Sequence, residues 1–242
     1  MVTVIAAGLV VAVSSLVQGA AGYGMALIAA PLLAMIDPSL VPVPLILLTS
    51  LHAVLAVSRD WGQADWPGIA WALAGQLPGT VLGVLALMAL SQRVFSLVIG
   101  LFVLACVVLS VLRWRPRPRP ASLLVAGFAS GVGSTVASIG GPPIALLYQS
   151  ASGPRVRSTL AGYFILGSVT SIAALAGAGR ITTASLASSA LLLPFLLLGF
   201  LLSGPARRVL DDGWTRPAVL AVAAASALLL IGHAVLSGRM PS

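Results

Sequence analysis

Apolar residues come in eight long runs: Thr3 to Ile36, Leu40 to Ser58, Pro67 to Leu90, Val94 to Leu112, Ala121 to Ser150, Ser158 to Gly177, Ala184 to Leu202 and Pro217 to Leu236. Most match the length of one helix across a bilayer core, about 20 residues, and none alternates as a half-buried strand would. The first and fifth runs are too long. With 34 and 30 residues they would extend about 51 and 45 Å as helices, against a hydrocarbon core of about 30 Å.

Both over-long runs carry a Gly-rich interruption, QGAAGYGMALIAAP (Gln18 to Pro31) in the first and STVASIGGPPIALL (Ser134 to Leu147) in the second. Backbone outside a helix persists at membrane depth only where protein buries it or where it lines a cavity. The pattern predicts two broken helices, resuming at about Gly24 and at Pro142 or Pro143, a residue type suited to a first helical turn.

Between the fourth and fifth runs lies RWRPRPRP (Arg113 to Pro120). Proline at every second position forbids a helix there, and four arginines forbid burial in lipid. The chain therefore divides into a first membrane repeat over 1–112, an Arg/Pro-rich cytoplasmic linker over 113–120 and a second membrane repeat over 121–242. LPGTVLG (Leu77 to Gly83) returns as LPFLLLG (Leu193 to Gly199) at nearly the displacement that separates the two breaks. The double match points to duplication, although short matches also arise by chance in so apolar a chain.

Composition confirms the class: 59% of the 242 residues are apolar and 7% are charged. The charge of +8 comes from thirteen arginines against five aspartates, without lysine or glutamate. These arginines sit between apolar runs, as cytoplasmic loop charge does, which argues against a nucleic-acid partner. Cys106 lies within an apolar run and suits a small buried residue; one cysteine forms no disulfide within the chain. The N-terminal run resembles a signal peptide but continues apolar past Ala20, and reads as a mature membrane helix.

The arginines also weigh topologies. If all eight runs cross, seven arginines fall on one side and six on the other. If each broken run is a re-entrant hairpin of two half-helices, six crossings remain. Arg59, Arg113, Arg115, Arg117, Arg119, Arg155, Arg157, Arg207, Arg208 and Arg216 then share one side, leaving Arg93, Arg180 and Arg239 on the other. The second arrangement gives an all-α polytopic membrane protein of two inverted repeats, each a re-entrant broken helix pair plus three transmembrane helices. Both termini then face outward. The eight-crossing arrangement stays open.

Each helix start carries about half a positive charge, so two starts meeting near mid-membrane would favour an anion without a buried arginine. Gly19, Gly22, Gly24, Gly140 and Gly141 would let backbone approach it, with Pro142 opening the second half-helix. Gln18, Ser134, Thr135 and Ser138 flank the breaks with donors, and Tyr23 offers a hydroxyl. The competing reading is close helix packing by small residues, which accounts for Gly75, Gly79, Gly83, Gly162 and Gly167. His52, deep in the second run, suits either coupling to a proton and contact with an anion, or a neutral ring bonded to a helix carbonyl. His233 lies near a run's end, and Gln76 and Gln149 serve as polar linings or as helix-to-helix bonds. No aspartate or glutamate lies mid-membrane, and no nucleotide loop, metal-ligand spacing or nucleophile elbow appears, so the reading is of a carrier without cofactor and not of an enzyme.

QGAAGYGMALIAAPLLAMIDP, GFASGVGSTVASIGGPPIALLY and LPGTVLG together resemble the TauE/SafE sulfite exporter family from about Val13 to Leu236. The resemblance implies a bacterial inner-membrane secondary transporter, an exporter of sulfite or organosulfonates such as sulfoacetate, working by alternating access. Import of thiosulfate or sulfate is an alternative within the family, and a non-transporting membrane scaffold is one outside it. By position, the resemblance carries over to Gln18, Gly19, Gly22, Tyr23, Gly24, Gly140, Gly141, Pro142 and Pro143. Many relatives have a further glycine after the first pair, where this chain has Met25.

Overall fold

A computed structural model describes residues 2–21, 24–57, 61–111, 116–210 and 215–237. Among them are ten α-helices, two short 3-10 turns and no strand. The helices are α1 (Val2–Ala21), α2 (Met25–Ile36), α3 (Val43–Val57), α4 (Trp66–Ala89), α5 (Gln92–Val111), α6 (Pro120–Ala137), α7 (Gly141–Tyr148), α8 (Gly153–Gly177), α9 (Thr183–Leu210) and α10 (Thr215–Ser237). Seven are long and apolar enough to cross a membrane: α1, α4, α5, α6, α8, α9 and α10. This is a multi-pass membrane protein.

Each over-long run is broken where expected, but its arms are unequal. The first arms, α1 with 20 residues and α6 with 18, are long enough to cross by themselves; only α2, with 12, and α7, with 8, are short. The helix runs on through Gln18 and Ser134 because nothing there opposes helical geometry. It ends near residues that adopt left-handed backbone, Gly24 at φ 113° and Ser138 at φ 60°. Conversely α3 has 15 residues, about 22 Å at the usual rise and short for a perpendicular crossing. Pro38–Leu40 upstream forms a 3-10 turn instead, capped by the Asp37 carboxylate through Ser39 N–H (2.9 Å).

The packing scheme repeats every five helices. α4 lies along α6, and five positions on, α9 lies along α1; α2 packs on α10 as α7 does on α5; α3 meets α8, and α5 meets α10. The repeated Pro-Gly elements have a structural meaning here. In α4, a Cβ on Gly75 or Gly79 would run into the backbone of Leu124 or Phe128 in α6, and one on Gly127 or Gly131 would strike Ala72 or Gln76 in return. In α9, Gly199 abuts the Ala12 carbonyl of α1 in the same way. Each half thus grips the first arm of the other, through contact that removes side chains so that backbones can approach. Ser15 adds a hydroxyl bond to the Leu196 carbonyl across the second seam (2.8 Å).

The main core surrounds α2, whose Met25, Leu27, Ala29, Ala30 and Leu33 pack with Val11 of α1, Ile99 of α5 and Ala223 of α10. A second core holds Ile144, Leu147 and Tyr148 of α7 against Ile69 of α4 and Leu160 of α8. Both short helices are thereby shielded, whereas Leu191, Leu198, Leu201 and Leu202 of α9 face outward, as lipid contact requires.

Polar contacts sort the helix ends. The Asp65 carboxylate caps α4 through Gly68 N–H (3.1 Å) and accepts from the Tyr148 hydroxyl (3.0 Å) and the Arg155 guanidinium (3.3 Å). The start of α8 therefore lies beside the start of α4. Arg180, after α8, donates to the Leu87 carbonyl at the far end of α4, and Arg93 donates to Ala234 of α10. In the proline-arginine segment, Pro116 to Arg119 is non-helical and α6 begins on Pro120; Arg113 and Arg115 lie outside the described residues, as do Arg59 and Arg239.

Two outcomes follow from this packing. With Cys106 replaced by Ala, Gly62→Cys and Ser152→Cys should react with an impermeant thiol reagent from the same side and Gly177→Cys from the opposite one; opposite labelling of Gly62 and Ser152 would contradict the arrangement of α4 and α8. Gly127→Ala should lower stability by about 1–3 kcal/mol through overpacking. Gly204→Ala, with nothing near the added methyl, should leave thermal unfolding in detergent nearly unchanged.

Candidate anion site between the two broken helices

At the first break α1 ends at Ala21 and α2 starts at Met25, with Gly24 as the left-handed residue before it. The first bond in helical register is from Ile28 N–H to the Gly24 carbonyl (3.2 Å), so the N–H groups of Met25, Ala26 and Leu27 precede the helical ladder. Gln18 Oε1 accepts from Met25 N–H (3.1 Å), and Gln18 Nε2 lies 3.3 Å from His52 Nδ1. His52 Nε2 lies 3.0 Å from the Ser15 carbonyl, which can only accept. These partners place the ring proton on Nε2 and let Nδ1 accept from Gln18. The Phe200 ring meets the imidazole edge-on at 5.2 Å.

At the second break α6 ends in a helix-terminating turn. Ser138 N–H bonds to the Ser134 carbonyl (2.9 Å) and Ile139 N–H to the Gly133 carbonyl (3.0 Å), with Ser138 left-handed between them. Ser130 Oγ donates to the Gly140 carbonyl (2.6 Å) and Ser138 Oγ to the Pro42 carbonyl (2.8 Å). Ser134 Oγ is 2.9 Å from Ser171 Oγ of α8. α7 then starts at Gly141, followed by Pro142 and Pro143. Two of its first three positions lack an N–H, so this start offers fewer donors than a helix start without proline.

The two breaks line one cavity. Gln18, Gly24, Ala26 and Leu27 come from the first, Ser134 and Ser138 to Pro142 from the second. Ile46, Thr49 and Ser50 of α3, Gln76 of α4, and Tyr163, Phe164, Gly167 and Ser168 of α8 complete the wall. The cavity measures about 40 Å³, space for about three waters. No lining residue is charged. What the cavity offers an anion is partial positive charge from two helix starts together with hydroxyl and amide groups. A wider recess of about 270 Å³, lined by Pro42, Gln92, Arg180 and Thr182 among others, lies beyond the Ser138 to Pro42 bond.

Of the residues the sequence singles out, Gln18, Gly24, Ser134, Ser138, Gly140, Gly141 and Pro142 meet at this cavity. Three others stand behind its wall. Gly19 lets α1 approach Ser203 of α9, where a Cβ would collide with that side chain. His52 is fully buried, does not line the cavity, and contacts Gln18, which does. Thr135 donates to the Gly131 carbonyl (2.8 Å) and packs against Gly83. Gly22 and Tyr23 lie outside the described residues, and Pro143 is not in the wall. His233 is exposed on α10.

Gln76, readable as a polar lining or a helix-to-helix bond, and Gly167, readable as close packing, both line the cavity, as do Thr49, Ser50, Tyr163, Phe164 and Ser168, which no sequence pattern marks. Gln76 was the readable signal, an amide in the middle of a crossing. The others are ordinary residues of apolar helices until α3 and α8 pack together.

Comparison with curated proteins and with solved structures finds no match. The sequence model of the family described as Sulfite exporter TauE/SafE matches residues 5–230. That stretch spans both breaks, both gripping seams and every lining residue of the cavity, and the chain belongs to the TauE/SafE family of membrane transporters for sulfite and related sulfur anions.

Proposed function

We propose that this chain exports a small sulfur oxyanion, sulfite or a compact organosulfonate, across a bacterial inner membrane by alternating access. The single observation that carries the reading is that two breaks far apart in sequence line one small cavity without a charged side chain. An anion there is held by helix starts, hydroxyls and amides. Such bonds give modest binding, and a carrier must release what it binds: micromolar to millimolar affinity corresponds to about 8 to 4 kcal/mol. The cavity's volume favours a trioxyanion of sulfite's size over a longer sulfonate.

In this reading the halves, 1–112 and 121–242, are inverted repeats that rock about the shared site, with both termini periplasmic. The pairing scheme that recurs every five helices supports duplication. The Asp65–Arg155 contact supports the hairpin arrangement, in which those loops share a side. The Ser138 to Pro42 bond is a suitable gate toward the Arg180 recess, since it joins the site to the connection before α3.

Reconstituted in liposomes, the protein should give saturable sulfite flux that competing sulfur anions reduce; intact protein without saturable flux of any sulfur anion would overturn the proposal. Gly141→Ala should weaken sulfite binding about tenfold or more, because the added methyl meets the Phe164 ring at 2.6 Å and pushes it into the site. Thermal unfolding should confirm that the variant is folded.

A further inference from the structure

Gln76 sits in the wall of the cavity, 1% exposed, and its amide is half used. Nε2 donates to the Gly167 carbonyl (2.7 Å) and to Thr170 Oγ1 (3.0 Å). The carbonyl fixes which end is nitrogen, since an oxygen there would face another oxygen. Oε1 is left buried without a hydrogen-bond partner among the described residues. Gly167 packs closely against it, since a Cβ there would stand 2.5 Å from Oε1. A buried acceptor without a donor is costly and rare, and such a group in a binding cavity marks a donor that the ligand brings.

A fully deprotonated oxyanion has no donor, and its oxygens would be repelled by Oε1. We propose that the site takes the singly protonated, singly charged form of its oxyanion, hydrogen sulfite in place of sulfite, with the ligand's O–H donated to Gln76 Oε1. Charge points the same way. Desolvation cost rises with the square of the charge, so a dianion needs about four times the compensation of a monoanion, and no lining residue is cationic. The proton stays on the ligand throughout, so Gln76 sets specificity without proton transfer. This inference rests on the anion-transport reading above.

The titratable groups near Gln76 leave the test readable. α6 and α8 pack on α4; α6 carries Arg119 at its start, α8 carries Arg155 and Arg157 in its first turn and Tyr163 in the cavity wall, and Asp65 and Tyr148 meet at the start of α4. His52, on α3, is engaged by Gln18 and Ser15.

Binding to the purified full chain in detergent separates ligand protonation from protein titration when two probes are used, sulfite and methanesulfonate, the second a monoanion without an O–H. At constant total sulfite, apparent affinity should fall more than about tenfold between about pH 6 and about pH 8.5, following the loss of hydrogen sulfite. Methanesulfonate should bind more weakly at the lower pH and show no such slope. Gln76→Met, which removes the acceptor together with both Nε2 bonds, should lose the preference for hydrogen sulfite, with thermal unfolding in detergent showing that the variant is folded. A sulfite affinity that is flat or rises with pH, that follows sodium in place of pH, or that keeps its slope in Gln76→Met would overturn the inference while leaving anion transport standing. Absence of binding by either probe at both pH values would overturn the transport reading and this inference together. If Gln76→Met does not fold, the slope of the native chain against methanesulfonate decides.

Discussion

Water does not reach the hydrocarbon core of a bilayer, so a peptide group left outside a helix at that depth must find its partner within the protein. The rest of this structure depends on meeting that demand at two places. At the first break Gln18 serves Met25 N–H, and Gln18 is itself held by His52, which leans on the Ser15 carbonyl. At the second, Ser130 serves the Gly140 carbonyl and Ser138 joins the break to Pro42. A buried polar group without such a partner costs about 1–3 kcal/mol, so a few of these bonds decide whether the breaks persist or melt. The apolar shell around α2 and α7 does the other half of the work by excluding lipid.

The way each break is supported also couples them. α9, from the second half, is pressed on α1, and α4, from the first, is pressed on α6, through glycines that bring backbone against backbone. Neither half can present its break without the other. Two arginines mark the ends of α4, Arg155 at one and Arg180 at the other, and none lines the cavity. A site with no buried cation binds an anion through dipoles and hydrogen bonds, which hold it weakly enough to let it go.

Much of this was legible because the signals were long or categorical. Over-long apolar runs interrupted by glycine located both breaks, and the returning LPGTVLG and LPFLLLG elements proved to be the surfaces that grip the opposite first arm. The arms of each break are unequal, because helix propensity carries α1 through Gln18 to Ala21 and α6 through Ser134 to Ala137. His52 reads either as a contact for the anion or as a neutral ring bonded to a helix carbonyl, and its bond to the Ser15 carbonyl depends on the packing of α3 against α1, which no local pattern records. The same holds for Tyr163 and Phe164, whose apolar setting in α8 looks like ordinary core until Gly141 is placed against the Phe164 ring. Gln76 was visible as an amide in a crossing; that its oxygen is left over depends on Gly167 and Thr170 taking both of its N–H groups.

The central claim is that both breaks hold one anion between them. Selenite has the shape and charge of sulfite and scatters anomalously, so crystals of the chain grown with it give the most direct test. The account predicts one strong anomalous peak in the cavity between Gly24 and Gly141, within reach of Gln18 and Ser134. A peak only in the recess beside Arg180, with the central cavity empty at saturating selenite, would contradict it.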